Sequence, residues 1–234
     1  MNYHMLNKKD HFIIGSGFIA SGFKKHLNFI KKNNIIIYAA GISNSLEFQK
    51  KNLNLETSRF KKFIQYNEKK LIYISTYSVN DNSRKNKLYV KNKIKIEKII
   101  KNNNSEYIII RLPEIIGKSK NPNTLTNFFY NNLIKNKPFK VFKNSHRNLL
   151  DIDDAIKNCI KIIKINKNKN KIINLLNKKF NTPLQIVNDF EKILKKRGIY
   201  KFNNTKLRKW SLKNNFFFYS KKNYLIKTLK KYYI

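Results

Sequence analysis

The chain has 234 residues, with 51 Lys and Arg against 13 Asp and Glu, a formal charge of +38. A hydrophobic content of 41% supports a buried core and excludes a disordered basic tail. No apolar run reaches the roughly 18 residues that span a bilayer, the first dozen residues lack the apolar stretch of a signal peptide, and the single cysteine, Cys159, excludes a disulfide framework and fits a cytoplasmic setting.

In chain order, short Ile-rich runs read as buried strands and longer runs with one apolar face read as helices. A strand at Phe12–Ile14 leads through a glycine turn into a helix over Phe18–Ile30. A strand at Ile35–Ala39 is followed by a helix over Leu46–Ile64. Next come a strand at Leu71–Ser75, a helix over Tyr89–Ile100 and a strand at Tyr107–Arg111. Helices at Leu125–Leu133 and Ile152–Ile165, a strand at Ile172–Leu176 and helices at Leu184–Leu194 and Tyr224–Tyr232 complete the series. Asn/Lys clusters at Lys31–Asn34, Lys101–Asn104 and Asn166–Lys171 mark loops. Strands alternating with helices predict parallel βαβ units and an α/β fold.

Three features carry chemistry. Gly15-Ser16-Gly17-Phe18-Ile19-Ala20 follows a strand and opens a helix, the context the dinucleotide fingerprint requires. Gly15 permits the tight turn, Gly17 lets backbone approach a pyrophosphate, and Ala20 lets helix and sheet pack closely. Thr76 ends the run LIYISTYSV, at a strand end where open α/β sheets bind ligands. Tyr89 and Lys93 lie four apart on a helix, hence on one face. An ammonium beside a phenol favours the phenolate, which suits Tyr89 to acid/base work. Y-x-x-x-K alone is common in so Tyr- and Lys-rich a chain; it gains weight from following the glycine turn and the strand-end hydroxyl in order.

Together these motifs resemble the NAD-dependent epimerase/dehydratase family, the extended or atypical short-chain dehydrogenases/reductases, in a shortened form. IIGSGFIAS resembles the family's first turn and IIIYAAGISNS the strand whose end passes under the cofactor. YISTYSV places Thr76 at the catalytic Ser/Thr, and Tyr89 and Lys93 match the catalytic pair. IIIRLPEIIG resembles the strand and loop at the nicotinamide end, and RNLLDIDDA the motif whose Arg meets the substrate diphosphate. The resemblance therefore implies catalytic roles for Thr76, Tyr89 and Lys93. It implies cofactor contacts from Gly15, Ser16, Gly17, Phe18, Ile19, Ala39, Ala40, Gly41, Lys93 and Pro113, and substrate contacts from Glu114 and Arg147. NAD or NADP is the implied cofactor, a nucleotide sugar the implied substrate and a homodimer the implied assembly. The chain departs from the family in lacking two strands before Ile35, on the adenosine side, and the acidic residue about 20 positions beyond the turn that bonds the ribose. Ile14 stands where the family has a further glycine. Tyr77 and Ser78 follow Thr76 in place of the Asp-Glu pair of 4,6-dehydratases, which argues against that chemistry.

The expected architecture is a Rossmann-like parallel sheet with flanking helices, lacking some family strands, plus a small C-terminal substrate lobe. Residues 1–112 form the dinucleotide-binding region and 113–234 the substrate lobe. The expected function is a nicotinamide-dependent epimerase or reductase on a nucleotide-activated sugar; the alternative is a catalytically reduced Rossmann-like binding or scaffold protein. The charge admits a third class, RNA binding. Yet Lys, Asn, Ile, Phe and Tyr all have A/T-rich codons, alanine occurs only at Ala20, Ala39, Ala40 and Ala155, and the basic residues are spread along the chain and are mostly Lys rather than Arg. Codon bias accounts for that pattern, so neither nucleic acid nor membrane is an expected partner, and useful basicity is expected at Lys93 and Arg147. Cys159 is read as core and His146 as an exposed loop residue. Asp151, Asp153 and Asp154 are read as a helix cap, with no metal, and Phe216–Tyr219 as packing.

Overall fold

The computed structural model describes residues 12–84, 86–103, 106–165, 170–204 and 214–234, apart from the side chain of Asn82. The N-terminal stretch read for a signal, and parts of the loops expected at 101–104 and 166–171, lie outside them. β1 (Ile13–Ile14) passes into α1 (Phe18–Phe23), a 3-10 turn (Lys24–His26) and α2 (Leu27–Lys32). β2 (Ile35–Tyr38), α3 (Lys50–Gln65) and β3 (Lys70–Thr76) follow, then 3-10 turns at Tyr77–Asn80 and Asn82–Arg84, α4 (Leu88–Lys101) and β4 (Tyr107–Leu112). The second half holds β5 (Glu114–Ile116), α5 (Leu125–Ile134), β6 (Phe139–Phe142), β7 (Arg147–Asp151) and α6 (Ile152–Ile165). It ends with β8 (Lys171–Asn177), β9 (Phe180–Asn181), α7 (Pro183–Leu194), β10 (Tyr200–Asn203), β11 (Asn215–Phe218) and α8 (Tyr224–Tyr233).

Among the described residues the main sheet has six strands in the order β1-β2-β3-β4-β8-β11, every pairing parallel. The Ile-rich runs serve both of its faces, as buried parallel strands must. Ile35, Ile37, Ile72, Ile108 and Ile110 point to one core with Phe23, Ile156, Cys159 and Ile163 from α1 and α6. Ile36, Tyr38, Leu71, Tyr73 and Ile109 point to the other, against Phe60 and Ile64 of α3 and Ile96 and Ile100 of α4. The α/β sheet with flanking helices is thus as expected, and Cys159 is buried in its core.

Some details differ. The first helix breaks at the 3-10 turn, although Ala20, Phe23 and Ile30 stay on its buried side. The second begins at Lys50 rather than Leu46, because Asn44 and Glu47 side chains bond the backbone N–H groups of Leu46 and Gln49 and hold a non-helical turn. Leu46 and Phe48, apolar in the sequence pattern, are 61% and 76% exposed. The short strands β5, β6, β7, β9 and β10 were not expected, and the Phe216–Phe218 stretch read as packing is the edge strand β11. With only six glycines available, asparagine takes left-handed turn positions at Asn34, Asn136, Asn214 and Asn223.

The main sheet draws strands from both sides of residue 113, since β8 and β11 return to it. What stands apart is a second core under α5, α7 and α8, built on Phe129, Leu133, Phe139, Val141, Ile186, Phe190 and Leu229. Two small sheets, β10-β6 and β5-β7-β9, accompany it. Among the described residues no helix is long and apolar enough to cross a membrane.

α8 is fastened to the first turn of α6. Asp151 Oδ1 accepts from Asp153 N–H, so it caps α6. Lys231 Nζ reaches Asp151 Oδ2 at 3.0 Å and Asp153 Oδ2 at 2.8 Å, and Tyr224 donates to Asp154 at 2.8 Å. The three aspartates therefore cap a helix and hold another, as their position before an apolar run suggested. The hydrogen bond from Lys231 is the main cause holding the Asp153 carboxyl below its ordinary 3.8. A depressed folded value means the stabilisation is present above 3.8 and lost as pH falls below it. Lys231→Met should lower Tm by about 2 °C at pH 7, the scale of a partly exposed ion pair in a chain of this size. The gap from the parent should close on approaching pH 3 in a thermal-melt series.

Candidate active site

The site is built at the carboxyl ends of β1 to β4, where a parallel sheet exposes its loops. Gly15 has φ +127, and a Cβ there would lie 2.7 Å from the Ala39 carbonyl oxygen and 3.0 Å from Ala40 N. The first turn and the end of β2 thus touch backbone to backbone, possible only without a side chain. Gly17 is different. It precedes α1 in extended conformation, and a Cβ on it would meet no atom within 4 Å. Ser16 and Gly17 are exposed. Ala20 is fully buried in the helix–sheet contact. Phe18 and Ile19 pack against the sheet core, and the Phe18 ring fills the place a Gly117 side chain would take.

Tyr89 and Lys93 share the inner face of α4. Lys93 Nζ lies 5.5 Å from the centre of the Tyr89 ring, within cation–π range. Tyr89 packs with Val79, Val90, Ile42 and Ile94, which seats it between the 3-10 turn after Thr76 and the loop after Gly41. Lys93 is buried directly beneath Gly41, where any side chain would overlap Nζ. Its ammonium bonds Glu56 Oε1 on α3 at 2.7 Å. Glu56 Oε2 accepts from Asn92 Nδ2 at 3.0 Å, and Asn92 Oδ1 accepts from Thr57 at 2.7 Å. Burial alone would lower the Lys93 pKa, but Tyr73, Tyr89 and Glu56 around it push it upward overall, so the group is an ammonium.

Thr76 closes β3, and its Oγ1 accepts from Ser78 N–H at 3.1 Å. The hydroxyl keeps its own O–H as a donor. Ser75, one residue back, faces the opposite side of the sheet and donates to Glu97 at 2.6 Å. Glu97 also takes Arg111 Nε at 3.0 Å and a second Arg111 nitrogen at 2.6 Å. Arg111 continues to Asn80, and Asn80 to Asn174 on β8. Ser75, Arg111, Asn174 and Asn215 are successive cross-strand partners, so this polar row ties β3, β4, β8 and β11 together below the site.

Glu114 and Arg147 come together from β5 and β7, with an N–O separation of 3.7 Å. Pro113, half-buried, joins β4 to β5. His146 is a half-buried loop residue just before β7. The basicity expected at Lys93 and Arg147 is present, but each carries a carboxylate partner.

Sequence reasoning missed Glu56, Asn92, Thr57, Glu97 and Arg111. A signal was available for two of them. With 13 acidic residues in a chain of charge +38, a glutamate inside a lysine-rich helix is conspicuous, and Glu97 stands four residues beyond Lys93 on the same face.

One flank of the site is short. β1 is a two-residue edge strand pairing only with β2 among the described residues. Ile35–Ile37, at the position where the family pattern has its acidic ribose ligand, are buried core. The open space over the Gly17 backbone leaves room for a phosphate group, while the described residues supply no acidic partner on the adenosine side.

The family model for the NAD dependent epimerase/dehydratase family matches residues 34–175. Three solved structures illustrate the likeness in fold. UDP-glucuronic acid 4-epimerase from Bacillus cereus, in complex with UDP-glucuronic acid and NAD, is 18% identical with a TM-score of 0.65, over 96% of this chain and 88% of its own. dTDP-glucose 4,6-dehydratase from Bacillus anthracis, in complex with NAD, is 16% identical with a TM-score of 0.60, over 85% and 70%. RMD from Pseudomonas aeruginosa, complexed with NADPH, is 11% identical with a TM-score of 0.66, over 94% and 95%. No curated protein sequence matches the chain.

Proposed function

Because the chain belongs to the NAD dependent epimerase/dehydratase family, we propose that it is a nicotinamide-dependent epimerase or reductase acting on a nucleotide-activated sugar. The observation that carries this reading is the convergence of Tyr89, Lys93 and Gly41 at the strand ends, with Lys93 Nζ 5.5 Å from the Tyr89 ring. The Gly15 turn lies against Ala39 and Ala40 at the carboxyl end of β2.

Gly15, Ser16, Gly17, Phe18 and Ile19 would hold the pyrophosphate, and Ala39, Ala40, Gly41, Lys93 and Pro113 the nicotinamide half. The bound nicotinamide, NAD or NADP, supplies hydride acceptance and return. Tyr89 takes the proton of a sugar hydroxyl, or returns one to a keto oxygen. Thr76, with one lone pair engaged by Ser78 N–H, donates its own O–H to that oxygen as charge develops there. Lys93 holds the ribose hydroxyls. Arg147, with Glu114 beside it, pairs its planar fork with the substrate diphosphate. Residues 113–234 provide the lobe over the sugar.

The test is calorimetry on the purified protein with NAD(H), NADP(H) and a UDP-sugar. A nicotinamide cofactor should bind at millimolar concentration or below, and Arg147→Met should weaken UDP-sugar binding about tenfold or more, the loss of a bidentate charged contact. The second reading, a catalytically reduced Rossmann-like binding or scaffold protein, draws on the short adenosine flank. It is the one left standing if no nicotinamide nucleotide binds.

A further inference from the structure

Glu114 holds a carboxylate where the fold does little to satisfy one. Its side chain is 35% exposed, yet Oε2 is buried and carries no hydrogen bond among the described residues. Oε1 lies 3.7 Å from an Arg147 nitrogen, beyond hydrogen-bond length. A carboxylate oxygen buried without a donor costs stability and calls for an explanation, of which a role toward a ligand is one.

The chain path puts this carboxylate beside the strand ends. Leu112, the last residue of β4, pairs with Thr76, and β5 begins two residues later at Glu114. At its far end β5 runs into Gly117, where the Phe18 ring from the first turn fills the place of a side chain. β5 therefore runs from the end of β4 toward the start of α1. Glu114 pairs with Leu149 of β7, so Arg147, two residues before Leu149, shares its face. The one ion pair of Glu114 among the described residues is that with Arg147. Lys118 and Lys120, in the loop after β5, are exposed, where salt screens their charge.

We propose that Glu114 sets the substrate class: it admits a nucleoside-diphosphate sugar whose hexose is uncharged and turns away the matching uronic acid. The proposal rests on the nucleotide-sugar reading of the site. Arg147 serves the diphosphate in that reading, so its charge is already divided between phosphate and Glu114. A sugar hydroxyl donates to the Glu114 carboxylate and supplies the hydrogen bond that the fold does not. A uronate replaces one such hydroxyl with a like charge, and like charges set side by side in a partly buried site cost affinity. The long-range field of a chain of charge +38 works the other way, favouring the more anionic ligand. Discrimination against the uronate therefore has to arise at contact range.

The test is calorimetry on the full chain with UDP, UDP-glucose and UDP-glucuronic acid, NADH present throughout, at about 0.15 M salt to screen the long-range field. The parent should bind UDP-glucose about tenfold or more tighter than UDP-glucuronic acid. Glu114→Gln, which removes the charge and keeps the shape, should bring the two within about threefold of each other, and Glu114→Asp should keep most of the parent's preference. A residue that only steadied Arg147 would, on substitution, weaken both sugars by the same factor. An unchanged ratio in folded Glu114→Gln therefore overturns the proposal. So does a parent that binds the uronate as tightly as the neutral sugar, a result that needs no variant to fold. If UDP and both sugars bind alike, the nucleotide-sugar reading stands and only the role of Glu114 falls. If none of the three binds, the reading itself falls and takes this proposal with it.

Discussion

Tyr89→Phe should lower turnover on a nucleoside-diphosphate sugar by roughly 10²–10⁴-fold, the usual contribution of a positioned acid/base. Cofactor affinity by calorimetry should change less than about threefold. The substitution removes one oxygen and keeps the ring, which packs between Val79 and Ile42 and sits over Lys93. The fold should therefore survive, and a circular-dichroism melt should move by no more than about 2 °C. The comparison with Thr76→Val is informative. In the proposed mechanism Thr76 would hydrogen-bond the developing charge, and it also receives Ser78 N–H, so its loss should combine a rate effect with a loosened 3-10 turn. If Tyr89→Phe retained full turnover on an identified substrate, the proton would move through another group and the assignment would be wrong.

The sequence pattern carried the architecture well because its strands are buried on both faces. Ile35–Ile37 and Ile108–Ile110 are uninterrupted apolar runs of the kind that parallel strands covered on both faces carry. Short strands in the second half carried no such mark. Arg147–Asp151 is polar at both ends yet buried throughout, since its polar groups find partners in Glu114, the cap of α6 and α8. Apart from the local α6 cap, those partners lie 33 residues upstream in Glu114 or 73 to 81 downstream in α8, beyond any local period. Leu46 and Phe48 misled in the opposite direction: they read as a helix face, but two side-chain-to-backbone bonds hold that stretch as a turn.

The site divided along the same line. Gly15, Thr76, Tyr89 and Lys93 were legible because each sits in a local motif with a fixed spacing. Glu56 was not, because what makes it matter is Lys93, 37 residues away, and the contact exists only once α3 and α4 pack. The overall charge of +38 gave no warning. It describes a surface of solvated lysines, while the site uses the few carboxylates to offset its cations one by one.

The two glycines of the first turn should separate stability from binding. Gly15→Ala combines a φ of +127, disfavoured for any side chain, with a Cβ 2.7 Å from the Ala39 carbonyl oxygen. Neither neighbour is a flexible tip that can swing aside; both are backbone. A cost of about 2–5 kcal/mol follows from the strain and the overlap together, a fall in Tm of roughly 5–15 °C for a chain of this length. Gly17→Ala meets nothing within 4 Å and has φ −79, which alanine adopts freely. Its melt should stay within about 2 °C of the parent. If a pyrophosphate lies over that open backbone, the added methyl occupies its approach, and nicotinamide cofactor affinity should fall about tenfold or more in calorimetry. Loss of affinity without loss of stability at Gly17, and loss of stability at Gly15, is the pattern a phosphate-binding turn requires. A Gly17→Ala protein that binds the cofactor as the parent does would place the pyrophosphate elsewhere and leave this turn a purely structural joint between β1 and α1.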